Sequence, residues 1–521
     1  MTAIKSLRQI VRVDQNLITA ILLGLITGLG AILRVYQLGT ESYWIDEVLT
    51  AQTAQKSLTQ LFDWTNGVVH VYMILAHFWV QWFGFSEAAT RFLSVLFGIA
   101  AIPVMYAVGQ ALFEKRVGLI SALLLAVSGV HIYHSQDFRF YSLVVFFTLT
   151  FFWFYIRFLS SGKIFYFILY VANGAILYYT HHMTMFALAA QGIYFLLQWN
   201  RFRARRLLWA LAQILMLAAL FPSISGYIYE YFDYSQGAVL ESAGFQPMAQ
   251  LQLPGWGQPF RMLKRYLFFT KAWMLAIGLV FFAGIFLLYL LNQGRKGKWS
   301  ALWHRLKKTG AALAQERPRL LLVGCWLLVP NLIPFALSFV LGPMYLERYT
   351  ISAAPALYLL IAVLILKIDN LISPLLSIGV LLVLVSPGLY DYYVDDVKEQ
   401  WRETAAYVMQ EAEPGDILLF SPHPTLGIVT ATRPGFSWYY RGDLPTCEVV
   451  TWAKSEAAII AEVTDCTAGY NRIWLVTKIY SKLDSDIGGL ESFFFNPNID
   501  AIRLIKQQQF TQTALYLFET N

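Results

Sequence analysis

From Leu17 to Leu389 the chain alternates long apolar runs with short polar loops. The runs are Leu17–Val35, Arg91–Leu112, Val117–Ile132, Phe140–Leu159, Ile164–Thr180, Met183–Trp199, Leu207–Ser223, Trp273–Leu291, Leu320–Leu341, Ile351–Leu366 and Leu371–Leu389. Most approach the ~20 residues a helix needs to cross a bilayer, so the pattern predicts about eleven membrane-spanning helices. Lys5, Arg8 and Arg12 precede the first run, as in a secretion signal. That run is long and ends in Arg34-Val35-Tyr36 with no small-residue cleavage pattern, so it reads as a span.

One apolar stretch, "HVYMILAHFWVQWFG" from His70 to Gly84, is short for a crossing. Its polar residues His70, His77 and Gln81 fall at helical spacing on one stripe, which predicts a helix lying in the membrane interface. Beyond Leu389 the pattern changes. "YYVDDVKEQWRETAAYVMQEAEPGDILLFSP" reads as an amphipathic helix, a turn and a buried strand; further strands are expected at "RIWLVTK" and "ALYLF". The expected division is residues 1–390, an all-α polytopic membrane domain, and 391–521, a small α/β domain. No glycine-rich phosphate loop or nucleophile elbow occurs in the second part, which favours a supporting or acceptor-binding role.

Composition supports a membrane protein. Hydrophobic residues make up 57% and charged residues 14% of the 521, where a soluble domain carries roughly 25% charge. The net charge of +7 does not indicate nucleic acid, because the basic residues lie in short loops between apolar runs. With the N-terminus inside and the His70–Gly84 segment uncounted, Lys115-Arg116, Lys163, "RFRARR" and "RKGKWSALWHRLKK" all fall on the cytoplasmic side. The expected topology therefore has the N-terminus cytoplasmic and the C-terminal domain outside. Cys447 and Cys466 both belong to that outer domain, where a disulfide would persist; spacing leaves the pairing open.

This topology gathers the polar chemistry on the outer face. "ESYWIDEVLT" carries the adjacent acids Asp46 and Glu47, "HSQDFRFY" carries Asp137 and Arg139, "THHM" carries His181 and His182, and "GPMYLERYT" carries Arg348. Span interiors hold almost no charge, whereas transporters usually place ionisable groups at mid-membrane. A lipid-borne substrate with its head group at the interface fits better, and arginine suits a phosphate. Asp137 and Arg139 point the same way if the chain is extended there and diverge if it is helical. "PFRMLKRYLFF" reads as a basic interfacial helix. No ligand cluster has metal spacing, so no metal is assigned, though a divalent ion is left open. A transporter or flippase of polyprenyl-linked lipids is the alternative reading, and a non-catalytic scaffold is a third.

"LRVYQLGTESYWIDEVLTAQ", "FGFSEAATRFLSVLFG" and "LFEKRVGLISALLLAVSGVHIYHSQDFRFYSL" resemble successive segments of GT-C class membrane glycosyltransferases. "YYTHHMTMFALAAQ" and "ERYTISAAPALYLL" are similar to later motifs of the protein O-mannosyltransferase and lipid A aminoarabinose transferase group. The resemblance runs through roughly Leu366. It implies a polyprenyl-phosphate sugar as co-substrate, used at the outer membrane face in an inverting transfer, and it gives the general-base role to Asp46. Glu47, grouped with Asp46 as a catalytic acid, would point about 100° away on a helix and orient a partner. Arg139 and Arg348 would meet donor phosphate, and Asp137 sugar or acceptor. His70 resembles the histidine of a His-Pro-Pro-like motif, with Val71 and Tyr72 in place of the prolines. His181 and His182 would orient the acceptor or bind a metal. The sugar and the acceptor, whether protein, lipid or cell-envelope glycan, are not specified.

Overall fold

The computed structural model describes residues 15–61, 71–235, 253–267, 310, 314–367, 374–420, 432–449, 456–479 and 502–520. The membrane part is helical: α1 Gln15–Val35, α2 Ile45–Ala54, α3 Val71–Phe83, α4 Glu87–Leu112, α5 Lys115–Ala126, α6 Gly129–Ser135, α7 Tyr141–Ser161, α8 Ile164–Thr180, α9 Met185–Leu197, α10 Arg206–Ser235, α11 Gln258–Leu267, α12 Arg317–Leu337, α13 Ala354–Lys367 and α14 Pro374–Val394. Among the described residues, 7 helices are long and apolar enough to cross a membrane, or 8 if α5 and α6 form one span. The shorter α8 and α9 coincide with two further apolar runs. The Trp273–Leu291 run lies outside the described residues.

The bundle interior is built from large side chains such as Leu149, Phe152, Tyr155, Trp326 and Tyr358. Phe152 and Trp326 stack with ring centroids 3.8 Å apart, locking α7 to α12. α4 and α5 cross closely because Gly109 and Gly118 face each other: a Cβ on Gly109 would stand 2.7 Å from the Gly118 Cα.

The Val117–Ile132 run, expected as one span, is two helices bent by 60°. Ser128 makes the break by accepting from the His131 amide at 3.3 Å and starting α6. Arg34, fully buried at the end of α1, donates to the Leu125 and Ala126 carbonyls at 3.0 and 2.9 Å and so satisfies the open end of α5. Backbone groups freed by a break inside the membrane need such partners. The break directs α6 toward the loop bearing Asp137.

α3 is 13 residues, about 20 Å long, too short to span. Its polar stripe differs from the expectation. His77 is buried and pairs with the Ala54 carbonyl at 3.0 Å and with Gln81 at 2.7 Å, while Phe78, Trp82 and Phe83 are exposed. The stripe therefore ties α3 to α2, and the aromatic face is the one left for lipid.

After α14 come α15 (Trp401–Glu411), β1 (Asp416–Phe420), α16 (Thr432–Tyr439), β2 (Thr446–Glu448), α17 (Glu456–Thr467), β3 (Arg472–Lys478), β4 (Ile502–Phe510) and β5 (Thr513–Thr520). The sheet order is β2-β1-β3-β5-β4, with β1 parallel to β2 and β3, and the β3–β5 and β5–β4 pairs antiparallel. Alternate residues serve two faces. Ile417, Leu419, Ile473, Leu475 and Phe518 pack with Val463 of α17 on one side. Leu418, Phe420, Trp474 and Leu517 pack with Trp401 of α15 and Phe436 of α16 on the other. Cys447 and Cys466 form a disulfide with Cα atoms 6.2 Å apart, joining β2 to α17.

Candidate active site

The site forms where the chain leaves α1. Gln37, with φ of 56°, turns it back, and Trp44 begins α2, whose first turn carries Asp46 and Glu47. A helix N-terminus favours both carboxylates. The helical step then separates them. The Glu47 side chain is fully buried, whereas Asp46 keeps 14% of its side chain exposed.

Glu47 is held on every side. Arg91 makes a two-pronged contact, Nε to Oε1 and Nη2 to Oε2, both at 2.8 Å. The Phe138 amide donates to Oε1 at 2.7 Å, and the Trp44 amide and Lys398 Nζ reach Oε2 at 3.3 Å. Arg91 spends its remaining donors on the carbonyls of Leu38, Glu41 and Ser42. The pair thus fastens the loop before α2 to the start of α4.

Asp137 is equally enclosed, with Lys398 Nζ at 2.7 Å and His134 Nδ1 at 3.2 Å. Burial alone would raise its carboxyl, but Lys398 and His134 outweigh it and hold the group below the ordinary carboxylate range. Asp137 therefore points into the protein and Arg139, two residues on, points to Asp46, so the two diverge.

Asp46 has different surroundings. Arg139 Nη2 lies 3.8 Å and Arg348 Nη2 3.7 Å from its Oδ2, close enough for charge attraction but too far for a hydrogen bond. Arg139 is fixed independently, donating to the Asp46 carbonyl at 3.2 Å and Thr50 Oγ1 at 2.8 Å, with its guanidinium 4.8 Å over Phe140. Burial would lower the Arg139 pKa, yet the Asp46 carboxylate raises it overall. Arg348 lies over Trp44 and Tyr349 at 5.6 and 5.7 Å. Trp44 Nε1, Arg139 Nε, Arg348 Nε and the Tyr141 hydroxyl are buried here without hydrogen-bond partners among the described residues. Buried donors thus outnumber acceptors around Asp46, an arrangement able to take an anion.

His181 lies tilted 4.7 Å from both Phe140 and Tyr349 and stacks 4.6 Å from His182, so both histidines flank the aromatic wall of this site. Glu347 turns away from Arg348 and pairs with Arg261 and Arg265 of α11 at 3.7 and 2.5 Å. A small crevice of about 10 Å3, lined by Met183, Phe186, Pro334, Met344, Tyr345 and Tyr349, adjoins the same wall. His70 lies outside the described residues. Among the described residues, no three His, Cys, Asp or Glu side chains converge to hold a metal.

The sequence reading missed Arg91 and Lys398, on which the whole cluster hangs; Arg34 and Arg91 are fully buried near the ends of their helices, outside the span interiors read as nearly uncharged. An arginine at the mouth of an apolar run was the available signal.

Residues 68–225 match the family model of dolichyl-phosphate-mannose-protein mannosyltransferases. No curated protein matches the chain by sequence. Among solved structures, ArnT from Cupriavidus metallidurans bound to undecaprenyl phosphate superposes with a TM-score of 0.53 at 12% identity, covering 95% of this chain and 97% of that one. Its apo form gives 0.52 at 13% identity over the same shares. The Archaeoglobus fulgidus oligosaccharyltransferase gives 0.49 at 11%, over 88% of this chain and 69% of that one. The architecture is thus that of the GT-C membrane glycosyltransferases. Within that class the chain resembles the protein mannosyltransferase and ArnT type.

Proposed function

We propose that the protein transfers a sugar from a polyprenyl-phosphate donor to an acceptor at the outer face of the plasma membrane. The family match and the fold favour a membrane glycosyltransferase, and the lipid phosphate bound to the similar ArnT structure suggests the donor class. The observation that carries the reading is the one partly open acid, Asp46, facing a surplus of buried donors from Trp44, Arg139, Tyr141 and Arg348.

In this reading the acceptor hydroxyl oxygen attacks the anomeric carbon while Asp46 takes its proton as general base. The bond from that carbon to the phosphate oxygen breaks, and polyprenyl phosphate leaves with the electron pair. A single displacement of this kind inverts the anomeric centre. Arg139 and Arg348 stabilise the charge on the departing phosphate, as preorganised cations in a dry site do. Glu47 and Asp137 orient these groups without touching substrate. His181 and His182 border the acceptor side. Residues 1–390 do the chemistry and 391–521 form the outer domain, with the N-terminus cytoplasmic.

The test is a panel of radiolabelled polyprenyl-phosphate sugars incubated with membranes containing the protein and native envelope acceptors. Label moving from donor to a non-donor product supports the proposal. Donor crossing the bilayer intact would favour the flippase reading instead.

A further inference from the structure

The segment just after α14 reaches back across the whole sequence to the loop that carries Asp46. Glu41 Oε1 accepts from the Val397 and Lys398 amides at 2.6 and 3.0 Å. Ser42 Oγ donates to the Glu399 carbonyl at 2.6 Å, and Glu399 Oε2 accepts from the Ile45 amide at 2.9 Å and from Trp401 Nε1 at 2.6 Å. Lys478 of β3 pairs with the other oxygen of Glu399. Lys398 goes deepest: its side chain is 1% exposed, and Nζ contacts Glu47 Oε2, Asp137 Oδ1 and the Gln136 carbonyl at 3.3, 2.7 and 2.8 Å.

Two buried carboxylates in one corner repel each other and are costly to keep ionised. Arg91 serves Glu47, but among the described residues Lys398 alone touches both, so it holds the Asp137 loop against the first turn of α2. We propose that Lys398 is a positioning residue for the transfer reaction. Supplied from the outer domain's junction, its ammonium joins Glu47 to Asp137 and thereby sets Asp46 against Arg139. Glu399 gives the same clamp its second point, on the Ile45 amide at the start of α2. The outer domain is then part of the active site's framework, through β3 and Lys478.

The proposal rests on the transferase reading, and its test has an arm that does not. In Lys398→Met, kcat should fall on the order of 100-fold while donor KM stays within about threefold, since an error of about an ångström in the reacting groups costs that much and the phosphate-facing arginines remain. The charge-balanced double variant Lys398→Met/Asp137→Asn should recover most of that loss, and Lys398→Arg a part of it, which lost packing alone would not produce. Backbone amide exchange read on the full protein in detergent should quicken about tenfold over residues 41–50 and 136–139 in Lys398→Met, and return in the double variant. A raised KM with unchanged kcat, or a double variant no better than the single, overturns the proposal. So does unaltered exchange in those two segments, whether or not transfer is detected. Absence of transfer by the wild type, with exchange responding as described, counts against the transferase reading and leaves the clamp standing.

Discussion

At the scale of single residues, three acids within one corner are told apart by what surrounds them. Glu47 and Asp137 are saturated by Arg91, Lys398, His134 and backbone amides, while Asp46 meets two guanidiniums only at 3.7 and 3.8 Å. Replacing Arg91 by Met leaves a buried carboxylate short of its main partner and should destabilise the protein by about 3–5 kcal/mol, read as a lowered midpoint in thermal unfolding. Arg348→Ala should instead raise the donor KM roughly tenfold or more with little change in melting temperature. Asp137 gives a sign for pH. Its carboxyl is held below its ordinary value in the folded protein, so the unfolded chain takes up that proton first. Its contribution to stability is full above about pH 4 and is lost as pH falls further, which acid unfolding of wild type against Asp137→Asn will show.

The same scale explains what could be read from the chain. Asp46 stood out as a candidate because an acid pair beside aromatics follows the first span and because the family resemblance gives an acid there the base role. The partners of Glu47 were not, since Arg91 and Lys398 lie 44 and 351 residues away and only the fold brings them together.

At the scale of elements, apolar period and length anticipated most of the helices, because lipid demands long uninterrupted runs. The pattern failed where a break is healed by a distant group. Nothing local to Val117–Ile132 shows that Arg34 caps its first half. It failed too at α3, where composition identified a polar stripe but not which neighbour would claim it. β4 escaped because "IRLIKQQQF" is an exposed edge strand with no buried face to set a period. Close packing gives a direct test here. A Cβ on Gly118 would lie 2.5 Å from the Tyr106 carbonyl oxygen, a backbone atom that cannot step aside. Gly118→Ala should therefore force α4 and α5 apart and lower thermal stability by about 1–3 kcal/mol, and Gly118→Val by more.

At the scale of the whole molecule, the membrane bundle and the C-terminal sheet interlock at the loop before α2 and the start of α4. Tyr439 of α16 accepts from the Tyr43 amide at 2.7 Å and donates to Glu87 at 2.9 Å, beside the Lys398–Glu399 clamp. The change of composition near residue 390 carried no sign of this interlock. The Cys447–Cys466 bridge closes a 19-residue separation on the far side of the sheet. Its removal in Cys447→Ser/Cys466→Ser should cost the C-terminal domain about 3 kcal/mol. Transfer should persist at temperatures where that domain stays folded.

The central claim is that Asp46 takes the acceptor proton. Single-turnover transfer from a labelled polyprenyl-phosphate sugar, compared between wild type and Asp46→Asn at matched protein levels, tests it most directly. The expected result is a rate reduced by about 10²–10⁴ with donor binding retained, the range a general base contributes. An Asp46→Asn protein that transfers at the wild-type rate would contradict it.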